Sequence, residues 1–136
     1  MLNIQIKTIP DEEQRYDTVG DYWKKNDIDE IKVSSVGNRG YEFLVAIHEM
    51  VEQFLCENAD ITDDEITKFD LDYEEKRKNG DDSDPGESIY APYRKQHMFA
   101  EKIERLMAEE CKIDWDDYSK YINKFYEKRL NPKDAD

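Results

Sequence analysis

What most constrains this chain is the spacing of its apolar residues. Beyond position 40 they recur at three- and four-residue steps: Leu44, Ile47, Val51, Phe54 and Leu55 in one stretch, Tyr93, Ala100, Ile103, Met107 and Cys111 in another. That period belongs to the α-helix. Each stripe carries one histidine on or beside it, His48 or His97, and the chain has no other. A chain patterned this way must bury narrow helical faces, and those faces carry imidazole towards the interior.

The remaining elements follow from local signals. Residues 2–9 alternate, with Leu2, Ile4, Ile6 and Thr8 on one side, which predicts a strand with one buried face. Residues 12–27 are ambiguous: Tyr16, Val19, Tyr22 and Trp23 have helical spacing, but Gly20 weakens it. Residues 28–36, with Ile31, Val33 and Ser35 alternating, predict a second strand, and Gly37 to Gly40 a turn. Thr62 followed by Glu65 is a capping box that starts a helix bearing Ile66, Phe69 and Tyr73, running out near residue 78. Residues 79–88 are a polar loop. Pro92 can open the helix of the second stripe, and Asp114 can cap a last one that buries Trp115, Tyr118, Ile122 and Phe125. The expected fold is α+β: a small N-terminal β-hairpin or short sheet followed by a bundle of three to four helices. It is expected to form a single domain over residues 1–130 with a frayed tail at 131–136. No internal repeat is found.

Composition narrows the function. The 136 residues carry a formal net charge of −14, with 40% charged residues. Such a charge is the signature of disorder, but nine Tyr, five Phe and two Trp spread along the chain argue for a core. Direct binding to a nucleic-acid backbone is not expected, because it needs clustered Lys and Arg. A basic protein partner fits the charge better. No span resembles a membrane helix, and the N-terminus has no signal-like pattern, so a cytoplasmic protein is expected. Cys56 and Cys111, the only two cysteines, read as buried free thiols.

The chemistry concentrates around the histidines. His48 and Glu52 stand four residues apart, about 40° around a helix, and can converge on one ion. Glu49 is offset round the same helix and can reach a bound water as a general base. His97 and Glu104, seven residues apart, share a face. Asp70 adjoins Phe69 on the apolar side of the capped helix, where an acid is costly unless paired or coordinated. His48, Glu52, His97, Asp70 and Glu104 are therefore candidate ligands for a divalent metal. Two imidazoles with carboxylate suit zinc first, with iron, manganese or magnesium as alternatives.

Residues 46–52, Ala-Ile-His-Glu-Met-Val-Glu, resemble the active helix of zincin-type metalloproteases, whose motif is His-Glu-x-x-His. The resemblance implies His48 as ligand and Glu49 as base, with Glu52 standing where that family has its second histidine. A wider stretch, roughly residues 30–118, resembles a group of small uncharacterised phage and bacterial proteins. It is carried by residues 41–56, Phe69-Asp70, Ala91-Pro92-Tyr93, Gln96-His97, Ile103-Glu104-Arg105 and Asp114-Trp115. This implies that the histidine and glutamate groups form one unit. The pairs Glu49/Glu52 and Glu101/Glu104 are similar to the Glu-x-x-Glu magnesium ligands of MazG-type nucleotide pyrophosphohydrolases.

The leading expectation is a small acidic divalent-metal-binding protein, with zincin-like metal-dependent hydrolysis as the activity its resemblance implies. Its alternatives are an acidic interaction module with at most a structural metal, and a MazG-like enzyme. The acidic run at 81–86 is not a calcium loop, since Pro92 stands where an EF-hand needs its closing Glu. No serine motif accompanies either histidine to suggest a nucleophilic triad.

Overall fold

The computed structural model describes residues 1–77, 81 and 83–130, and of 126–130 the backbone alone. The expected tail at 131–136 and positions 78–80 and 82 of the loop lie outside the described residues. Three strands come first: β1 (Ile4–Ile9), β2 (Gly20–Lys25) and β3 (Ile28–Ser34). Four α-helices follow: α1 (Arg39–Asn58), α2 (Asp63–Glu75), α3 (Arg94–Glu110) and α4 (Trp115–Leu130). This is the α+β arrangement expected, a short sheet followed by helices.

The sheet order is β1-β3-β2, with β3 central, parallel to β1 and antiparallel to β2. Segment 20–25, whose period was ambiguous in the sequence, is a strand rather than a helix. It pairs with β3 through a tight hairpin in which Asn26 and Asp27 both take positive φ, 52° and 63°. That is the turn whose twist matches paired strands, built here without the glycine that usually marks it. β1 does not bury the face its alternation suggested: Ile4 and Ile9 are half-buried and Ile6 is exposed. The reason is position. α1 lies across β2 and β3, leaving β1 at the edge.

Asn38 caps α1 by accepting from the Tyr41 amide, and Thr62 caps α2 by accepting from the Glu65 amide, as the capping box requires. Asp114 accepts from the Asp117 amide at the start of α4. The buried side of α1 is made by Leu44, Val45, His48, Glu52 and Cys56, while Phe54 is exposed. The apolar stripe read from the sequence is thus rotated relative to the true buried face, and the polar pair lies at its centre. On α3 the buried residues are His97, Ala100, Glu104 and Ala108. Cys56 is buried, but Cys111 is exposed at the end of α3, contrary to expectation.

Tyr22, Ile31, Val33, Leu44, Val45 and Tyr118 belong to one core cluster under α1. The sheet approaches α1 most closely at Gly20. A Cβ there would stand 2.7 Å from Glu49 Oε1 and 2.8 Å from Val45 Cγ1. Gly20→Ala must push helix and strand apart, so it should lower stability by about 1–3 kcal/mol in urea titration. An unchanged midpoint would show that the contact relaxes freely.

Candidate metal centre

The two long buried helices place the site. α1 and α3 pack antiparallel, so His48 meets Glu104 while Glu52 meets His97. His48 Nε2, His97 Nδ1 and Glu52 Oε2 converge: the two nitrogens are 3.1 Å apart, and each lies 2.9 Å from the oxygen. All three residues are buried, at 8%, 5% and 5% exposure. Among the described residues, this is the group whose ligand atoms gather closely enough to hold an ion.

Each of these side chains is held from behind. His48 Nδ1 lies 2.7 Å from Glu104 Oε1, and Glu104 Oε2 accepts from the Tyr118 hydroxyl at 2.5 Å. Glu52 Oε1 accepts from the Tyr22 hydroxyl at 2.8 Å. His97 turns its other nitrogen, Nε2, towards Asp84 Oδ2 at 3.7 Å. Gly86, in the 3-10 turn Pro85–Glu87, rests on the His97 ring, where a Cβ would come within 2.5 Å of the ring atoms. Such outer partners fix the orientation and basicity of metal-ligating histidines.

The donor set passes two simple tests. Three atoms about 3.0 Å apart lie about 1.7 Å from their common centre. That spacing is no wider than the ~2.0–2.1 Å zinc–nitrogen and zinc–oxygen bonds allow, so His48 Nε2, His97 Nδ1 and Glu52 Oε2 would be within reach of one ion. The charge has the right sign as well: Glu52 lies in the triangle and Glu104 stands behind His48, so a dication there would have acidic neighbours.

Without a cation, protons must fill the triangle. Burial alone would push the His48 imidazole down, but hydrogen bonds to Glu104 and Glu52 outweigh it and hold it well above its ordinary value. Burial would raise Glu52, yet hydrogen bonds from His48 and His97 bring it down to about 2. Imidazolium His48 then donates to both carboxylates. For His97, burial would push the imidazole down, but its bond to Glu52 and the Asp84 charge outweigh that and raise it; its Nδ1 meets the same oxygen.

The other expected residues fall around this centre. Glu104 is beside it, on the far nitrogen of His48, in the place of an orienting carboxylate. Asp70 is outside the triangle. Its oxygens accept from Tyr93 at 2.5 Å and Tyr16 at 3.0 Å, so tyrosines rather than an ion satisfy it. Glu49 sits against Gly20 with no hydrogen-bond or ion-pair partner among the described residues. Burial, and then the neighbouring Glu52 charge, push its carboxyl well above the usual range. Glu49 and Asp84 line both of the cavities beside the centre, of about 140 and 480 Å³.

Sequence reasoning missed Tyr22, Tyr118, Asp84, Gly20 and Gly86. The tyrosines read as apolar spacing, since nothing in a helical or strand pattern announces a hydroxyl aimed at an acid. The glycines read as turn or breaker signals rather than as surfaces for Glu49 and His97.

No protein-family model, curated protein or solved structure matches this chain. Among the described residues, no helix is long and apolar enough to cross a membrane.

Asp70 gives a pH test at a group outside the triangle. Burial raises its carboxyl from 3.8 to about 7, against the lowering effect of the two tyrosines. The folded chain therefore keeps a proton that the unfolded chain releases. Stability from this group falls as pH rises from about 4 to about 7 and stays low above. Asp70→Asn, which can still accept from one tyrosine, should be more stable than the parent at pH 8 by on the order of 2 kcal/mol. Its stability should also vary less across that window. Parallel pH profiles in urea denaturation would contradict this.

Proposed function

We propose that this chain is a divalent-metal-binding protein in which His48, Glu52 and His97 hold the ion and Glu49 serves hydrolysis as the general base. Zinc is the first candidate, with iron or manganese next. Magnesium suits two imidazoles least, because it prefers oxygen donors. The observation that carries the reading is the convergence of two imidazole nitrogens and one carboxylate oxygen, each backed by its own outer partner.

A bound dication supplies Lewis-acid polarisation at such a centre. The chain's own residues supply the rest. Glu104, braced by Tyr118, keeps the His48 ring turned so that Nε2 faces inward. Tyr22 occupies one oxygen of Glu52 and leaves the other for the centre. Glu49, which lines the adjoining cavity, is the group placed to accept a proton from water there. The larger cavity is lined by Glu49, Asp84, Glu87, Glu101 and Glu104, with no Lys or Arg among its lining residues. That field favours a neutral or cationic group and repels phosphate.

A second reading keeps the ion and drops the turnover. Gly86 covers the His97 ring, and an ion enclosed there would tie α1 to α3 as a structural element. A basic partner could then use the acidic surface. Under this reading chelation lowers the melting temperature while no substrate is turned over.

Elemental analysis of untagged protein should find about one metal per chain. A content below ~0.1, with affinity no better than millimolar, would reject both readings. His97→Ala should abolish binding, and Glu104→Gln should weaken it by about 10–100-fold. Glu49→Gln should retain the metal and lose about 10²–10⁴-fold in hydrolysis of an amide substrate. Full activity in that variant would remove Glu49 from the mechanism.

A further inference from the structure

One surface of the helix pair is out of character with the chain. At ~100° per residue, Phe43, Ile47 and Phe54 fall on one flank of α1, and Phe99, Ile103 and Leu106 on one flank of α3. Because the helices run antiparallel, these flanks turn to the same side. They face away from the sheet and from Glu49, which lies against Gly20 of β2. Phe43, Phe54, Phe99 and Leu106 are 45%, 57%, 50% and 59% exposed, and Ile47 and Ile103 are half-buried. None of the six is in the core cluster or packed against it. Between Phe43 and Phe54 the α1 flank bears no charged residue, and between Phe99 and Leu106 the α3 flank has one charge, Lys102, at its edge, although 40% of the chain is charged.

We propose that this face is the docking surface for a second copy of the chain, related by a two-fold axis, so that α1 and α3 of both copies form a four-helix arrangement. Area is the first argument. Three half-open phenylalanines, at ~150–250 Å² each when buried, leave on the order of 500 Å² of apolar surface once the aliphatic neighbours are included. A standard interface buries about 800 Å² per partner and, in homodimers, is about 65% apolar. The patch therefore provides the apolar part of one such interface. Charge is the second argument. Two copies at −14 each repel through most of their surfaces. A flank without acid between Phe43 and Phe54 or between Phe99 and Leu106 is where they can meet without placing carboxylates opposite one another. Symmetry is the third: an antiparallel helix pair offers the same surface to its copy after a two-fold rotation, which closes the assembly. The cavities beside the histidines lie on the other side of α1 and stay open.

Sedimentation velocity of the full chain from 1 to 200 μM tests this. The expected result is a species of twice the chain mass that becomes tighter as NaCl is raised to 0.5 M, because salt screens the repulsion and leaves apolar contact intact. A monomer at 200 μM in 0.5 M NaCl overturns the proposal. So does a dimer that salt dissociates. Phe54→Glu with Leu106→Glu should weaken dimerisation on the order of 100-fold or more while leaving the helical circular-dichroism spectrum unchanged. Leu71→Glu, exposed on α2, should have no effect. A dimer that survives the first pair places the contact elsewhere and overturns the assignment. Lysine cross-linking between isotopically distinct copies of the unaltered chain needs no variant. Links through Lys95 and Lys102, beside the face, support it. Links confined to Lys68 or Lys120 overturn it.

Discussion

The fold is organised around a buried histidine that lies between two carboxylates. His48 meets Glu104 across the helix interface and Glu52 one turn along its own helix. Tyr22 and Tyr118 extend this line at either end, so a continuous polar chain runs from β2 through α1 and α3 to α4. Every link is buried, and a buried charge that loses its partner costs several kcal/mol. The line is thus a strict condition on how the sheet, the central helix pair and the last helix sit relative to one another. The apolar core of Leu44, Val45, Ile31 and Val33 provides the driving force. The polar line chooses one packing among those the core would permit.

The helices were legible because their signals are local. Thr62 with Glu65, the histidine stripes and Asp114 all act within one or two turns. That His48, Glu52 and His97 lie together could be inferred from their placement on inward faces, since the α1–α3 pair needed only to be antiparallel. β2 was not legible. Tyr22 and Trp23 are spaced as a helix would have them, and the hairpin turn at Asn26-Asp27 lacks glycine. Only pairing with β3 decides the matter, and that is a tertiary fact. The same holds for Asp70, whose cost of burial is met by Tyr16 and Tyr93, one of them 54 positions away along the chain.

The rotation of the apolar stripe on α1 has a physical reason. A small acidic chain with few large aliphatic residues fills its interior partly with histidine, glutamate and tyrosine. Its phenylalanines are left over at Phe43 and Phe54. Hydrophobicity alone then points to the wrong face, and the polar residues mark the inside. This inversion explains why the outer flank of the helix pair is apolar while the cavities beside Glu49 are lined with acid.

Cys56 adds a practical consequence. Its sulfur lies 3.7 Å from the Tyr22 hydroxyl, one turn beyond Glu52, and burial pushes the thiol up to about 12. Cys111 is exposed. The two thiols therefore differ in when a reagent can meet them: Cys111 in the native chain, Cys56 only when α1 lifts from the sheet. The rate of the slower modification is a clock built into the protein. It counts the openings of the segment that carries Glu52, without any added label.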